Sequence, residues 1–337
     1  MKKYQKIYDD IIDKINTGTL KIGEIISSEN VLSVEYNTSR ATVRRALEEL
    51  EKNGLIIKQQ GKGSIVVSNN IKRKTVLLIL PNIFKYIFKD LIFGIENTLR
   101  DHGINLLIAR SYNDQKIERD IIRTYISTVD AIILEPTQAQ YTKYLHSKTY
   151  ASLESKPTVC INSKLENFNI PSLIVDDFGS MKLLTEHIVK NHPQRILILS
   201  KTDDLQGYNR LLGTTEVLQK HPEIKYKVIE FTTYDEDEKI GEFSNVYKHY
   251  KPDCIIFYND EYANSFLSIN NINPVMDDLL ITGFDDTEYS NGKPYQFLSP
   301  AHPKEQMGID AANAIIDLLN GQTIESKVYE PNINFNK

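Results

Sequence analysis

Tryptophan is absent from the chain, cysteine occurs only twice, and the longest purely aliphatic run, Val76 to Leu80, is closed by Pro81. The short run excludes a spanning helix, which needs roughly 20 consecutive apolar residues. The polar start MKKYQKIYDD has neither the apolar centre of a signal peptide nor a lipidation motif, so a cytoplasmic protein is expected. Cys160 and Cys254 sit inside the apolar stretches TVCI and DCIIFY, which favours buried free thiols over a disulfide. With no CxxC and no His/Cys cluster at zinc spacing, no metal and no cofactor is expected. Without tryptophan, any stacking on a ligand ring falls to phenylalanine or tyrosine.

What is present is the composition of a globular protein: 337 residues, 41% hydrophobic and 25% charged, enough for two or three domains. The charge is unevenly placed. Residues 1–74 carry 14 Lys and Arg against 9 Asp and Glu, and the remainder carries 26 against 36. A basic head on an acidic body suits a phosphate-contacting module joined to a larger domain that avoids DNA.

The head is organised around NTSRATVRRALEELEKNGLIIKQQGKGSIVV, from Asn37 to Val67. Ser39 has the chemistry of a helix N-cap, and Val43, Ala46, Leu47 and Leu50 recur at helical spacing. The opposite face carries Arg40, Thr42, Arg44 and Arg45, whose forked cations match phosphates and guanine edges. Asn53-Gly54 ends the helix. Leu55-Ile56-Ile57 and Ser64 to Val67 then read as two strands joined by a tight turn at Gln59-Gln60-Gly61-Lys62-Gly63. Upstream, Tyr4 to Asn16 reads as a helix with an Ile7, Ile11, Ile12, Ile15 stripe, and Glu29 to Tyr36 as a second helix capped by Ser27-Ser28. Helix, helix, helix, hairpin makes residues 1–68 a winged helix-turn-helix. Residues 69–74 form a polar, basic linker in which Lys72, Arg73 and Lys74, like Lys2, Lys3 and Lys6 at the start, are candidates for phosphate contacts.

From Thr75 the pattern changes. TVLLILP, INLLIA, VDAIILEP, PTVCI, SLIVDD, RILILS, YKVIEF, DCIIFY and LLITGF are short apolar strands separated by amphipathic helices. Such alternation predicts parallel sheets covered on both faces, and the number of strands predicts two similar lobes with a cleft between them in residues 75–337. Open parallel sheets bind ligands beyond their carboxyl strand ends. Those ends hold Glu135, Asn162, Asp176-Asp177, Asn259-Asp260 and Asp285-Asp286, with Phe84, Tyr86, Phe88, Tyr258 and Phe284 nearby. Carboxylates and amides beside aromatic faces suit a neutral polyol, whose hydroxyls both donate and accept. The cleft residues offer no Lys/Arg cluster or Gly-rich phosphate loop, which disfavours a phosphorylated sugar.

The head resembles the GntR family of transcription regulators through Ser28-Glu29 with Leu32, Ser39-Arg40-Thr42-Val43-Arg44-Ala46-Leu47, Leu50-Gly54-Leu55 and Gly61-Lys62-Gly63-Ser64-Val66; Ser27 replaces the family's usual proline. That resemblance implies major-groove contacts from Asn30, Ser39, Arg40, Thr42 and Arg44, and a minor-groove wing at Gln60, Gly61 and Lys62. The body is similar to the effector domain of LacI-type repressors through Gly94-Ile95-Glu96, Val175-Asp176-Asp177, Gly207 with Arg210 and Gly213, Tyr258-Asn259-Asp260-Glu261, Gly283-Phe284-Asp285-Asp286 and His302-Pro303. It implies sugar contacts from Arg210, Asp260 and Asp285, and further ones from Tyr86, Phe88, Glu135, Asn162, Asp177 and His302. Thr214 stands where relatives have an apolar or aromatic residue.

The pairing of the two resembles the arabinose repressors of Gram-positive bacteria. It implies a homodimeric repressor on a palindromic operator, released by a small sugar, L-arabinose first among the candidates. Another pentose, a hexose or a nucleoside is the alternative effector. A glycosidase would use a carboxylate pair in the cleft, but such an enzyme has no use for the head.

Overall fold

The computed structural model describes residues 3–69, 73–84, 86–137, 148–272, 279–290 and 296–335, with the Tyr86 side chain outside the description. The chain divides into two compact units, Met1–Lys74 and Thr75–Lys337.

The first unit runs α1 (Lys3–Asn16), α2 (Glu29–Glu35), α3 (Arg40–Lys52), β1 (Ile56–Gln59) and β2 (Gly63–Val66). Its core is one cluster in which Ile7, Ile11 and Ile15 of α1 meet Val43, Ala46, Leu47 and Leu50 of α3, with Leu32, Leu55 and Val66 closing it. Two serines start the helices: Ser28 Oγ accepts the Val31 N–H at 3.4 Å and Ser39 Oγ the Thr42 N–H at 3.2 Å. Each satisfies an N–H that the first turn leaves without an intrahelical partner. In the hairpin, Gln59 faces Gly63 across antiparallel strands and the Lys62 N–H donates to the Gln59 carbonyl at 3.0 Å. Gly61 and Gly63 take φ of +81° and +99°, a backbone only glycine adopts without strain, so the tip depends on both.

The second unit begins β3 (Thr75–Leu80), α4 (Tyr86–Asp101), β4 (Asn105–Arg110), α5 (Gln115–Tyr125), β5 (Ala131–Leu134), α6 (Lys148–Ala151), β6 (Thr158–Ile161) and β7 (Ser172–Val175). It continues α7 (Asp177–Val189), β8 (Arg195–Lys201), α8 (Leu205–Leu218), β9 (Lys225–Phe231), α9 (Glu236–Tyr250), β10 (Cys254–Phe257), α10 (Asp260–Ile269), β11 (Leu280–Thr282), β12 (Phe297–Leu298), α11 (Lys304–Leu319) and β13 (Lys327–Tyr329). A six-stranded sheet in the order β13-β7-β6-β5-β3-β4 makes the first lobe, and a five-stranded sheet β12-β11-β10-β8-β9 the second. Every strand pair in both is parallel. This is the two-lobed α/β body expected. The strands β5, β6 and β10 are buried at every residue, as helices on both faces require. Cys160 and Cys254 are free and buried within them.

The chain passes between lobes after β7 and again after β12, and the segment after β13 joins these crossings. The Asp176 N–H donates to the carbonyl of Tyr329, the last residue of β13, at 3.0 Å, and beyond that strand the Asn332 carbonyl accepts the Ala301 N–H at 2.7 Å. The sequence pattern misses β12 and β13, which are too short to show alternation.

In the first lobe α4 packs on α11 at a pair of glycines. A Cβ on Gly94 would strike the Glu305 carbonyl oxygen, and one on Gly308 the Leu91 carbonyl oxygen, both rigid backbone. Gly94→Ala is therefore expected to force the helices apart and lower stability by about 1–3 kcal/mol. A fall in the urea midpoint measures it, and a midpoint equal to that of the parent contradicts the close approach.

Candidate functional site

The carboxyl ends of both sheets open on a cavity of about 280 Å³. The first lobe contributes Phe88, Glu135 and Asn162, the crossings Asp177 and His302, and the second lobe Lys201, Asp204, Gln206, Arg210, Tyr258, Asn259 and Asp285.

One hydrogen-bond chain fixes the first-lobe wall. Asn162 leaves β6 with φ +58°, which turns its amide back into the cavity. Its Nδ2 donates to Glu135 Oε2 at 2.7 Å, and its Oδ1 lies 2.8 Å from His302 Nε2. The amide oxygen only accepts, so His302 carries its proton on Nε2 and presents Nδ1 as a bare acceptor. That Nδ1 is buried and has no hydrogen-bond partner among the described residues. Burial holds the imidazole down to about 4, so it stays neutral near pH 7. Glu135, buried and completed by Gln206 Nε2 at 3.3 Å, is pushed up to about 8, chiefly by desolvation.

Arg210 anchors the opposite wall. From the first half of α8, its Nε donates to Asp177 Oδ1 at 2.8 Å and its Nη1 to the Tyr258 carbonyl at 3.0 Å, while Nη2 stands 3.7 Å from Asp285 Oδ1. The guanidinium carbon sits 3.5 Å from the centre of the Phe284 ring. Burial works against this charge, and Asp177 and Asp285 outweigh it, holding Arg210 above its ordinary value. Desolvation lifts Asp177 to about 7 against the pull of Arg210. Further round, Lys201 Nζ bridges Asp203 at 2.9 Å and Asp204 at 3.0 Å, and Tyr258 donates its hydroxyl to Asp204 at 2.9 Å.

Of the residues expected to touch ligand, Phe88, Glu135, Asn162, Asp177, Arg210, Asp285 and His302 line the cavity. The Tyr86 side chain lies outside the described residues. Asp260 corrects the expectation: it is buried away from the lining, and its carboxylate accepts the Thr287 N–H at 2.8 Å, the Thr287 hydroxyl at 2.9 Å and the Ser299 hydroxyl at 2.7 Å. The Asp286 N–H in turn donates to Ser299 Oγ at 2.8 Å. Asp260 thus clamps the turn in which Asp285 and Asp286 take φ of +93° and +43°. The neighbouring Asn259 lines the cavity instead. Thr214 is buried off the lining, and the structure gives no account of its place there.

Lys201, Asp204, Gln206, Asn113 and Glu236 also line the cavity but were not anticipated. Lys201 ends β8 and the others follow β8, β4 or β9, so the strand-end argument applied uniformly finds them.

In the first unit Asn30, Arg40, Arg44, Arg45, Gln60, Gly61 and Lys62 are exposed, Thr42 is half-buried, and exposed Ser39 is engaged as the α3 cap. Arg44 lies against α2, its Nε and Nη2 donating to the two Glu29 oxygens at 3.1 and 2.9 Å. Such a solvent-facing pair orients the fork and adds little stability. Arg45 turns the other way, its guanidinium 4.2 Å from the centre of the Tyr4 ring on α1. Among the candidate phosphate contacts, Lys2 and Lys72 lie outside the described residues.

Residues 3–66 match the family of bacterial regulatory proteins, gntR family, and residues 73–275 the family of periplasmic binding proteins and sugar binding domain of LacI family. The arabinose metabolism transcriptional repressor of Geobacillus stearothermophilus is 31% identical, with 99% of this chain and 96% of that protein covered. The ribose operon repressor of Bacillus subtilis is 27% identical, covering 73% of this chain and 74% of that one. In fold, the chain is similar to the Cra transcriptional dual regulator from Pseudomonas putida, solved with fructose 1-phosphate, at a TM-score of 0.68 and 17% identity, covering 77% and 97% of the two chains. Among the described residues no helix is long and apolar enough to cross a membrane.

The raised Glu135 carboxyl has a consequence for stability. Folded Glu135 keeps its proton from the ordinary 4.5 up to about 8, whereas the unfolded chain releases it. The stability it contributes is complete below the ordinary value and is lost as pH rises through about 8. The melting temperature of the ligand-free protein should therefore fall from pH ~5 to ~8 more steeply than that of Glu135→Gln. Parallel slopes would contradict a protonated Glu135.

Proposed function

Because the chain belongs to the family of bacterial transcriptional repressors that join a GntR-type winged helix-turn-helix head to a LacI-type sugar-binding body, we propose that L-arabinose, bound in the cavity of the second unit, releases it from its operator. Sugar-responsive repression, not catalysis, is what this membership establishes. The choice of L-arabinose rests on the full-length similarity to the Geobacillus repressor of that name.

The observation that carries a neutral sugar is the cavity wall itself. Apart from the protonated Glu135, five carboxyl groups line it (Asp177, Asp204, Glu236, Glu261 and Asp285) against three cations, Arg110, Lys201 and Arg210, so a phosphate or carboxylate group would meet an excess of acidic groups. His302 Nδ1 awaits a donor, which a hydroxyl supplies. The carboxylates accept further hydroxyl protons, Arg210 donates to sugar oxygens, and Phe88 offers an apolar face to ring C–H groups.

On this reading the protein works in the cytoplasm as a homodimer. The α3 arginines of each head enter the major groove of one half-site of a palindrome, and the wing enters the minor groove. Sugar brings the two lobes together and changes the spacing of the heads, so the pair no longer spans both half-sites.

A thermal-shift panel tests the effector, since a ligand that binds only the folded state raises the melting temperature. L-arabinose is expected to give the largest rise among L-arabinose, D-ribose, D-xylose, D-galactose and D-glucose. A rise with D-ribose alone would move the assignment to the ribose-type repressors. For the head, Arg40→Ala and Arg44→Ala are each expected to weaken operator binding by ~1–3 kcal/mol while leaving sugar affinity intact. Loss of both activities would instead report misfolding.

A further inference from the structure

Besides Asp260, another buried carboxylate stands off the cavity wall. Glu118 on α5 is fully buried and does not line the cavity. Its Oε2 accepts the Thr137 N–H at 2.8 Å and its Oε1 accepts the Tyr150 hydroxyl at 2.5 Å. Thr137 lies two residues beyond Glu135, on the stretch by which the chain leaves β5. The Glu135 N–H still belongs to the sheet, donating to the Ile79 carbonyl at 2.9 Å, whereas the Thr137 N–H has left it and donates to Glu118. The Thr137 hydroxyl is fixed as well, 2.8 Å from Ser111 Oγ just after β4. One carboxylate therefore ties α5 to both the exit of β5 and α6.

A buried carboxylate is costly, and a core that needed only to be filled would be better served by an apolar side chain. What Glu118 adds is direction. It holds the backbone that carries Glu135 and Pro136, both of which face the cavity.

We propose that Glu118 is a positioning residue for effector binding: by fixing Thr137 it sets where Glu135 and Pro136 stand in the cavity wall, so sugar affinity depends on a side chain that no sugar touches. The proposal rests on the reading that the cavity takes a neutral sugar. Affinity is tuned here from outside the contact set, as supporting shells do at other binding sites.

The test uses the full-length protein and three variants. Glu118→Gln keeps an oxygen for the Thr137 N–H and turns its NH2 toward the Tyr150 hydroxyl. Glu118→Leu keeps the volume and removes both acceptors. Glu118→Asp keeps the carboxyl group but withdraws it by one methylene. Two quantities are read: the Kd for L-arabinose by calorimetry, and the titration of Glu135 in sugar-free protein by infrared spectroscopy, its band identified with Glu135→Gln.

Glu118→Leu is expected to raise the Kd about tenfold or more and to displace the Glu135 titration, while Glu118→Gln stays within about threefold of the parent. If the leucine variant does not fold, Glu118→Asp decides by the same two readings. A folded leucine or aspartate variant with parental Kd and parental Glu135 titration would overturn the proposal, as would a glutamine variant as impaired as leucine. A parent protein that binds none of the sugar panel would sink the effector reading alone, and the Glu135 titration would still decide the role of Glu118.

Discussion

A guanidinium taken out of water must be met by acceptors on every side, and Arg210 is met by groups from three parts of the chain. Asp177 comes from the first crossing between lobes, Tyr258 from the end of β10, and Asp285 from the strained turn after β11. Breaking one partner of a buried pair leaves an uncompensated charge, which is why such sites hold their geometry. The ring of Phe284 beneath the guanidinium, and the Asp260 clamp on the adjoining turn, complete the fixed wall. A wall held by the protein's own hydrogen bonds and ion pairs lowers the ordering cost of binding.

The same hydrogen bonds that shape the cavity cross from lobe to lobe. Gln206 of the second lobe donates to Glu135 and accepts from Ser163 of the first at 3.0 Å. Asn113, beyond β4, reaches Thr233 at 2.6 Å and Asp203 at 3.3 Å. A ligand that engages Glu135, Arg210 and His302 would therefore touch both lobes and the crossing between them. A shift in their arrangement follows only from contacts that differ between states, and groups spanning the cleft are the ones able to differ.

Much of this was legible in the residues, and the failures have physical causes. The head is read well because its devices are local: Ser39 caps its own helix, and the glycines at 61 and 63 force their own turn. The body is read well in outline because fully covered strands such as AIIL and CIIF announce themselves as apolar runs. Asp260 and Asn259 show where strand-end reasoning stops. Both follow β10, yet Asn259 faces the cavity while Asp260 turns to Thr287 and Ser299, partners 27 and 39 residues away. Which of two adjacent polar side chains meets ligand depends on such distant partners, and no local pattern carries them. The Glu118 network is invisible for the same reason, since its link to Tyr150 spans 32 residues.

On the proposed mechanism sugar in the cavity and operator on the heads oppose one another, which is tested by operator affinity with and without saturating L-arabinose. A palindromic operator selected from random DNA, titrated at fixed salt, provides the probe. Saturating sugar is expected to weaken operator binding about 5- to 150-fold, the range of ordinary allosteric coupling. An operator affinity unchanged by a sugar that demonstrably occupies the cavity would contradict it.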